Sequence, residues 1–306
     1  MAFAAADYRD KVLVADGDFA LELSARHGSG FPMIEQANLR RPEIVKDIAD
    51  AFLDAGAGVL VANTAGANRI TLASMVQAEE ISEGDIAAMA RQGAAICRAA
   101  ISDWPGSDCL VFGEMGPTGK LLLLDEIDAT ELYSAYAAQA EALAEGGADA
   151  IICQSFTEIE SLCVAIRAAV GGTGLPVIGS MSFDCGADRT ETTLGVTPPQ
   201  ACAAMLEAGA CVIGADCGVS PDDLPAAVAL MRQSCQVPIW VKVNAGTPQV
   251  QEGRVVYPET PEEFARRLPA LVKAGANLVG GCCGASAEHI ASLAAAAPRS
   301  RPDSRG

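Results

Sequence analysis

The run VGGCCGAS, residues 279–286, places two adjacent cysteines among glycines at the end of an apolar segment, and ADCG at 215–218 supplies a third cysteine upstream. Neighbouring side chains on a regular strand point to opposite faces. Cys282 and Cys283 can therefore serve one centre only where the strand ends and the backbone turns. Three cysteines on one rim suit zinc held by three thiolates with an open fourth position, the arrangement of a catalytic rather than a closed structural site. Spacing alone leaves two other readings open: ordinary buried cysteine, which behaves as a small hydrophobe, and a redox pair. The sequence contains no C-x-x-C, which removes the usual zinc-ribbon and thioredoxin signatures. If the centre holds zinc, the ligand type constrains its chemistry. Three thiolates donate so much charge that the metal is a poor Lewis acid, but a bound substrate thiol would lose its proton near neutral pH and stay nucleophilic toward carbon. Alkyl transfer to sulfur is the reaction class that follows.

The elements that must position these residues recur with a regular beat. Amphipathic segments end in small-Gly-Ala caps at 55–57, 146–148, 208–210 and 274–276, each followed by an apolar run. Glycine ends a helix by taking the left-handed conformation at little cost, so the pattern reads as helix, cap, buried strand. Strands are expected at 12–17, 59–64, 110–117 and 150–156, and from 176, 211, 238 and 278, with helical periodicity between them. Continuously apolar strands alternating with helices predict a parallel sheet covered on its outer face. A closed (β/α)8 TIM barrel over residues 1–297 fits best, with a polar, frayed tail at 298–306; a doubly wound open sheet is the alternative. The irregular stretches 28–42, 115–129, 185–199 and 246–259 are candidate lids.

In such a barrel the site forms at the carboxyl ends of the strands. The residues expected there are Asp16 and Gly17, Asn63 and Thr64, Glu114, Gln154, Asp216 and Cys217, Asn244, and Cys282 with Cys283. Only two histidines are present, which leaves little for histidine acid-base chemistry; His289, in the first turn of the last helix, is expected at the surface.

Composition narrows the classes. The 306 residues are half hydrophobic and one-fifth charged, and 21 basic against 39 acidic side chains give a formal charge of -18. That balance argues against a phosphate-neutralising surface and hence against nucleic acid as a partner. No apolar run reaches the roughly 18 residues of a membrane span, and the start lacks the order of a secretory signal, so a cytoplasmic location is expected. Eleven cysteines, an odd number, in a chain of this length do not suggest a disulfide scaffold. GPTGK at 116–120 fails as a phosphate loop, because glycine is absent at Glu114 and a hydroxyl residue at Leu121. Neither a dinucleotide fingerprint nor a cobalamin-binding region is evident.

The GGCCG run at 280–284, together with GADCG at 214–218, resembles the zinc signature of the homocysteine S-methyltransferase family. DGDFALEL from Asp16, FLDAGAGVLVANTAGAN from Phe52 and VNAG at 243–246 are similar to further segments of that family in the same order. The resemblance implies zinc on Cys217, Cys282 and Cys283, Asp16 and Gly17 near the amino-acid end of a thiol substrate, and methylation of homocysteine to methionine. The donor would be an onium compound or a methylcorrinoid carried by a partner protein. The carboxyl-terminal arm associated with betaine-dependent members is not seen, which favours a corrinoid or sulfonium donor. Two positions depart from the family. Asp18 stands where glycine is common, and Gln154 stands where the fourth strand usually ends in a glutamate that holds the substrate ammonium. A neutral amide still accepts a hydrogen bond but loses the charge. Asp18 is expected to restore it; otherwise the acceptor is a different thiol, or the barrel binds thiols without turnover.

Overall fold

The computed structural model describes residues 3–28, 31, 33–75, 82–106, 108–218, 221–251 and 253–298. Of the expected tail, 299–306 lies outside the described residues. The strands are β1 (Leu13–Val14), β2 (Val59–Val61), β3 (Leu110–Met115), β4 (Ala150–Phe156), β5 (Val177–Met181), β6 (Val212–Asp216), β7 (Ile239–Val243), β8 (Gln249–Gln251), β9 (Arg254–Val256) and β10 (Leu278–Gly281). Eight of them form one parallel sheet in the order β1-β10-β7-β6-β5-β4-β3-β2. A parallel bridge between Ala15 and Val59 joins its two ends, giving a nearly closed barrel with helices outside, the expected (β/α)8 TIM barrel.

All eight expected strands are present, but two details differ. First, β1 is only two residues long, because the chain leaves the ladder at Asp16, whose side chain accepts from the Val61 N–H at 2.7 Å where a backbone carbonyl would otherwise serve. Second, the stretch read as irregular at 246–259 holds the antiparallel hairpin β8–β9, in which Val250 pairs with Val255. Its turn contains Gly253 at φ +77°, the left-handed backbone that tight hairpins require.

Alternate strand residues fill the barrel. Phe3 packs edge-on against Phe112, which in turn meets Trp240, so aromatic rings plug the amino-terminal end beneath Ala15, Val61, Ile152 and Ile178. The opposite strand faces pack against the helices in a second, larger apolar layer. The helix caps at Gly209 and Gly275 have φ +109° and +127°, as the small-Gly-Ala pattern requires.

Asn277 locks the amino-terminal seam. Fully buried, it donates to the carbonyls of Tyr8, Arg9 and Lys11 and accepts from the Ile239 N–H, joining the first loop to β7 across the start of β10. Truncation orphans these groups together. Asn277→Ala is expected to lower unfolding stability by roughly 2–4 kcal/mol, measured by chemical denaturation, while leaving any metal stoichiometry unchanged; a loss under ~0.5 kcal/mol would contradict this role.

Candidate active site

The three cysteines meet above β7, which contributes no thiol itself. Its end acts as the ruler: the Cys217 N–H donates to the Lys242 carbonyl at 3.1 Å and the Cys282 N–H to the Val243 carbonyl at 2.7 Å. The next turn returns the contact, with the Ala245 N–H donating to the Cys283 carbonyl at 2.9 Å and the Asn244 amide to the Gly218 carbonyl at 2.7 Å. Cys217 takes φ +56°, a left-handed backbone uncommon for a residue with a side chain, and such strain clusters at functional sites. Gly284, at φ +81°, makes the turn that swings Cys283 to the same side as Cys282, and Tyr257 packs so closely on it that a Cβ there would clash.

The resulting Sγ atoms of Cys217, Cys282 and Cys283 all lie within 4.8 Å of one another, and Cys283 is 3.9 Å from each of the others. Four ligands placed tetrahedrally at a Zn–S length near 2.3 Å would have sulfurs about 3.8 Å apart, so the donor set fits such an ion. Charge leads to the same place. Bonds from Cys217 and Cys282 hold the Cys283 thiol far below its ordinary value, while those Cys282 makes to Cys217 and Cys283, together with burial, push Cys282 well above it. Three like charges this close cannot coexist without a cation. The cluster could hold a metal ion.

A cavity of about 170 Å³ lies against Cys282 and Cys283, and its walls include Gly17, Asp18, Asn63, Glu114, Gln154 and Lys242. Most of the expected residues are therefore brought together. Asp216, Cys217 and Asn244 are not among its walls, and neither are Asp16 and Thr64. Asp16 is fully buried, with one oxygen on the Val61 N–H and the other 2.8 Å from Lys242 Nζ; the Thr64 hydroxyl donates to the Glu114 carbonyl at 2.8 Å. Both shape the site from behind. Asn63 is held by its amide donating to the Ile34 carbonyl and Asn38 Oδ1.

Asp18 lines the cavity with both carboxylate oxygens already engaged. One of its oxygens caps the helix Phe19–His27 through the Leu21 N–H, and the other accepts from the Gly284 N–H at 3.0 Å, so it latches the cysteine turn to the start of the barrel. His289, expected at the surface, is half-buried: Nδ1 accepts from the Ser286 N–H at 3.2 Å and Nε2 lies 2.9 Å from the Glu259 carbonyl oxygen.

Two residues that sequence reasoning passed over matter here. Lys242 sits in IWVKV, a buried strand, and a lone lysine in a continuously apolar strand signals a partner elsewhere. Its ammonium bonds Asp16 and the Gly17 carbonyl. Ser155 lines the cavity at φ +66°, where β4 breaks register between Cys153 and Phe156; its N–H donates to the buried Asp216 carboxylate at 2.9 Å.

Gln154 turns its amide onto Glu114, Nε2 to Oε1 at 2.5 Å. Burial pushes the Glu114 carboxyl up to about 7, against the lowering pull of Lys242 and Gln154. Between the ordinary glutamate value and 7 the folded protein therefore retains a proton that the unfolded chain has released, and stability falls as pH rises through that window. Glu114→Gln is expected to stabilise the protein by up to about 3 kcal/mol at pH 8 and by little near pH 4.5. Denaturant melts at the two pH values check this; an equal effect at both would contradict it.

Comparison with known proteins gives a consistent picture. The family model described as homocysteine S-methyltransferase matches residues 13–297. The methionine synthase of Mycobacterium tuberculosis (strain ATCC 25618 / H37Rv) is 29% identical over 301 residues, covering 94% of this chain and 24% of that protein. The methionine synthase of Mycobacterium leprae (strain TN) is 29% identical over 274 residues, covering 87% of this chain and 22% of that protein. The chain thus spans about a quarter of the length of these curated relatives or less. Among solved structures, the metallated homocysteine methyltransferase MmuM from Escherichia coli superposes with a TM-score of 0.76 at 20% identity, covering 93% of this chain and 96% of that one. The carboxyl transferase domain of Rhizobium etli pyruvate carboxylase shares the fold more loosely, with a TM-score of 0.55 at 13% identity, covering 97% of this chain and 44% of that one. With a family model spanning nearly every barrel element, from β1 to the last helix, the chain belongs to the homocysteine S-methyltransferase family.

Proposed function

We propose that Cys217, Cys282 and Cys283 hold a zinc ion and that residues 1–297 act as one barrel module transferring a methyl group to the thiol of homocysteine, giving methionine. The observation that carries this reading is the convergence of three sulfurs, from β6 and β10, at spacings that suit one tetrahedral ion beside a cavity. The chemistry a bound zinc supplies is a substrate thiol kept deprotonated near neutral pH yet still nucleophilic. The transfer forms a sulfur–methyl bond while the donor's bond to that methyl breaks, its electron pair leaving with the donor. Such a donor presents an electrophilic carbon: an onium compound, or a methylcorrinoid carried by a partner protein. The methionine synthases and the MmuM enzyme support homocysteine as the acceptor.

The chain's own residues do the positioning. Asp18 pins the Gly284 turn, and with it the angle at which Cys283 enters. Asn244 fixes the loop after Cys217 through Gly218, while its own Oδ1 is buried with no hydrogen-bond partner among the described residues, a group available to the metal or the substrate. Gly17 lines the cavity, and glycine is required there because a Cβ would collide with the Ala285 carbonyl and the Phe52 ring.

Purified wild type is expected to carry stoichiometric zinc, and X-ray absorption should show a three-sulfur site that gains a fourth sulfur on adding homocysteine. Cys217→Ser is expected to lose zinc and methylation of homocysteine together. Zinc-free protein with full turnover, or a Cys217→Ser variant that keeps both, would sink the proposal.

A further inference from the structure

A second cavity lies in the helical layer, between the chain that follows β2 and the helices Glu83–Asp103 and Ala129–Glu145. It measures about 180 Å³ and shares no lining residue with the cavity beside the cysteines. Ala67, Ile86, Ala135 and Ala138 give it apolar walls, and the amide side chains of Asn68 and Gln139 complete them. Both amide residues are almost wholly buried, at 1% and 2% exposure.

Each amide has one half fixed and the other unused. Asn68 Oδ1 accepts from the Ile70 and Thr71 N–H groups at 3.1 and 2.9 Å and from the Thr71 hydroxyl at 3.1 Å. Gln139 Nε2 donates to the Thr64 carbonyl at 2.7 Å and, at longer range, to the carbonyls of Ala65 and Glu114. Backbone N–H groups can only donate and backbone carbonyls can only accept, so these partners fix which way each amide faces. What remains is Asn68 Nδ2, a donor, and Gln139 Oε1, an acceptor, both buried with no hydrogen-bond partner among the described residues. Each such group costs roughly 1–3 kcal/mol to leave unmade. Gln139 cannot turn to relieve its oxygen without releasing the carbonyls that tie the chain after β2 to β3. Buried polar atoms in native proteins are matched as a rule, so two orphans on one cavity point to an occupant.

The two orphans are of opposite kind, and that specifies the occupant. Asn68 lacks an acceptor and Gln139 lacks an N–H. Among the described residues on the walls the one charged side chain is Arg69, whose guanidinium is paired with Glu131 Oε1 at 2.9 Å. With its charge already matched, the cavity disfavours an ion. Its volume equals the share of about six water molecules, the scale of one compact organic group. We infer that this cavity binds a small neutral amide, a primary carboxamide or a cyclic amide. Its carbonyl accepts from Asn68 Nδ2, its N–H donates to Gln139 Oε1, and its hydrocarbon part rests on Ile86, Ala135 and Ala138. The site goes beyond methyl transfer and does not depend on the cysteine centre.

Titration of isotope-labelled protein with benzamide, followed by NMR, tests this. Acetophenone is the control, because it keeps the ring and the carbonyl but lacks the N–H. Benzamide is expected to shift the Asn68 and Gln139 side-chain amide signals saturably and to bind roughly 10-fold more tightly than acetophenone, the worth of one neutral hydrogen bond. Asn68→Asp keeps the oxygen that Ile70 and Thr71 use but replaces the donor with an acceptor, and should weaken benzamide by about 10-fold or more. Ala138→Leu, at an exposed helix position, fills the cavity while leaving both amides in place, and should abolish the shifts in a protein that still folds. No saturable shift in wild type, equal binding of the two compounds, or undiminished benzamide binding by either folded variant would overturn the inference.

Discussion

One buried carboxylate holds the architecture together. Asp16, wholly out of solvent, places one oxygen on the Val61 N–H of β2 and the other on the Lys242 ammonium of β7. It thereby closes the seam where β1 is too short to complete its own ladder, and reaches across β10 to the strand beyond. The residue opposite Lys242 in the ladder is Gly280, where a Cβ would crowd the Asp16 carbonyl and Ala15. A buried ion pair is expensive unless its remaining valences are satisfied. Here each partner has additional bonds, Asp16 to a backbone amide and Lys242 to a carbonyl. Removing either would strand the other's charge.

From that clasp the site follows by short covalent steps. Gly17 and Asp18 come directly after Asp16, and Asp18 ties the cysteine turn at Gly284 to the first helix. Lys242 lends its carbonyl to Cys217, and the next residue lends its own to Cys282. The strand without a thiol thus sets the distance between the strands that carry them. Three sulfurs from two parts of the chain arrive within one ion's reach because both measure from the same two peptide units. The strain at Cys217, with its positive φ, is held by this over-determined network.

The acid side of the cavity shows how the same fold distributes charge differently. Glu114 is pushed up by burial, with Lys242 offsetting the cost only in part. A carboxylate in that position destabilises the protein alone, and so does the unpartnered Gln154 oxygen beside it. These two unfavourable features lie side by side on the cavity wall that also presents Cys282 and Cys283.

Much of this was legible in the chain before its coordinates. The repeated caps, with glycines such as Gly209 and Gly275, announced eight strand and helix units, because a helix period, a left-handed glycine and an apolar strand are written within a few residues of one another. The cysteine pair among glycines, with Cys217 upstream, announced a shared centre for the same reason: strand parity makes two adjacent thiols on one centre demand a turn. Partnership across the barrel was not legible. Nothing in the chain around Asp16 points to Lys242, 226 positions away, as the partner of its second oxygen. Nor does the chain show that Asp18 caps a helix with one oxygen and latches Gly284 with the other. Gln154 read as a loss until it turned onto Glu114. Sequence alone determined the units and the thiols, since those are set by local geometry. Only the closed barrel decided which charges meet, since its curvature and register bring together residues whose spacing along the chain carries no trace of their contact.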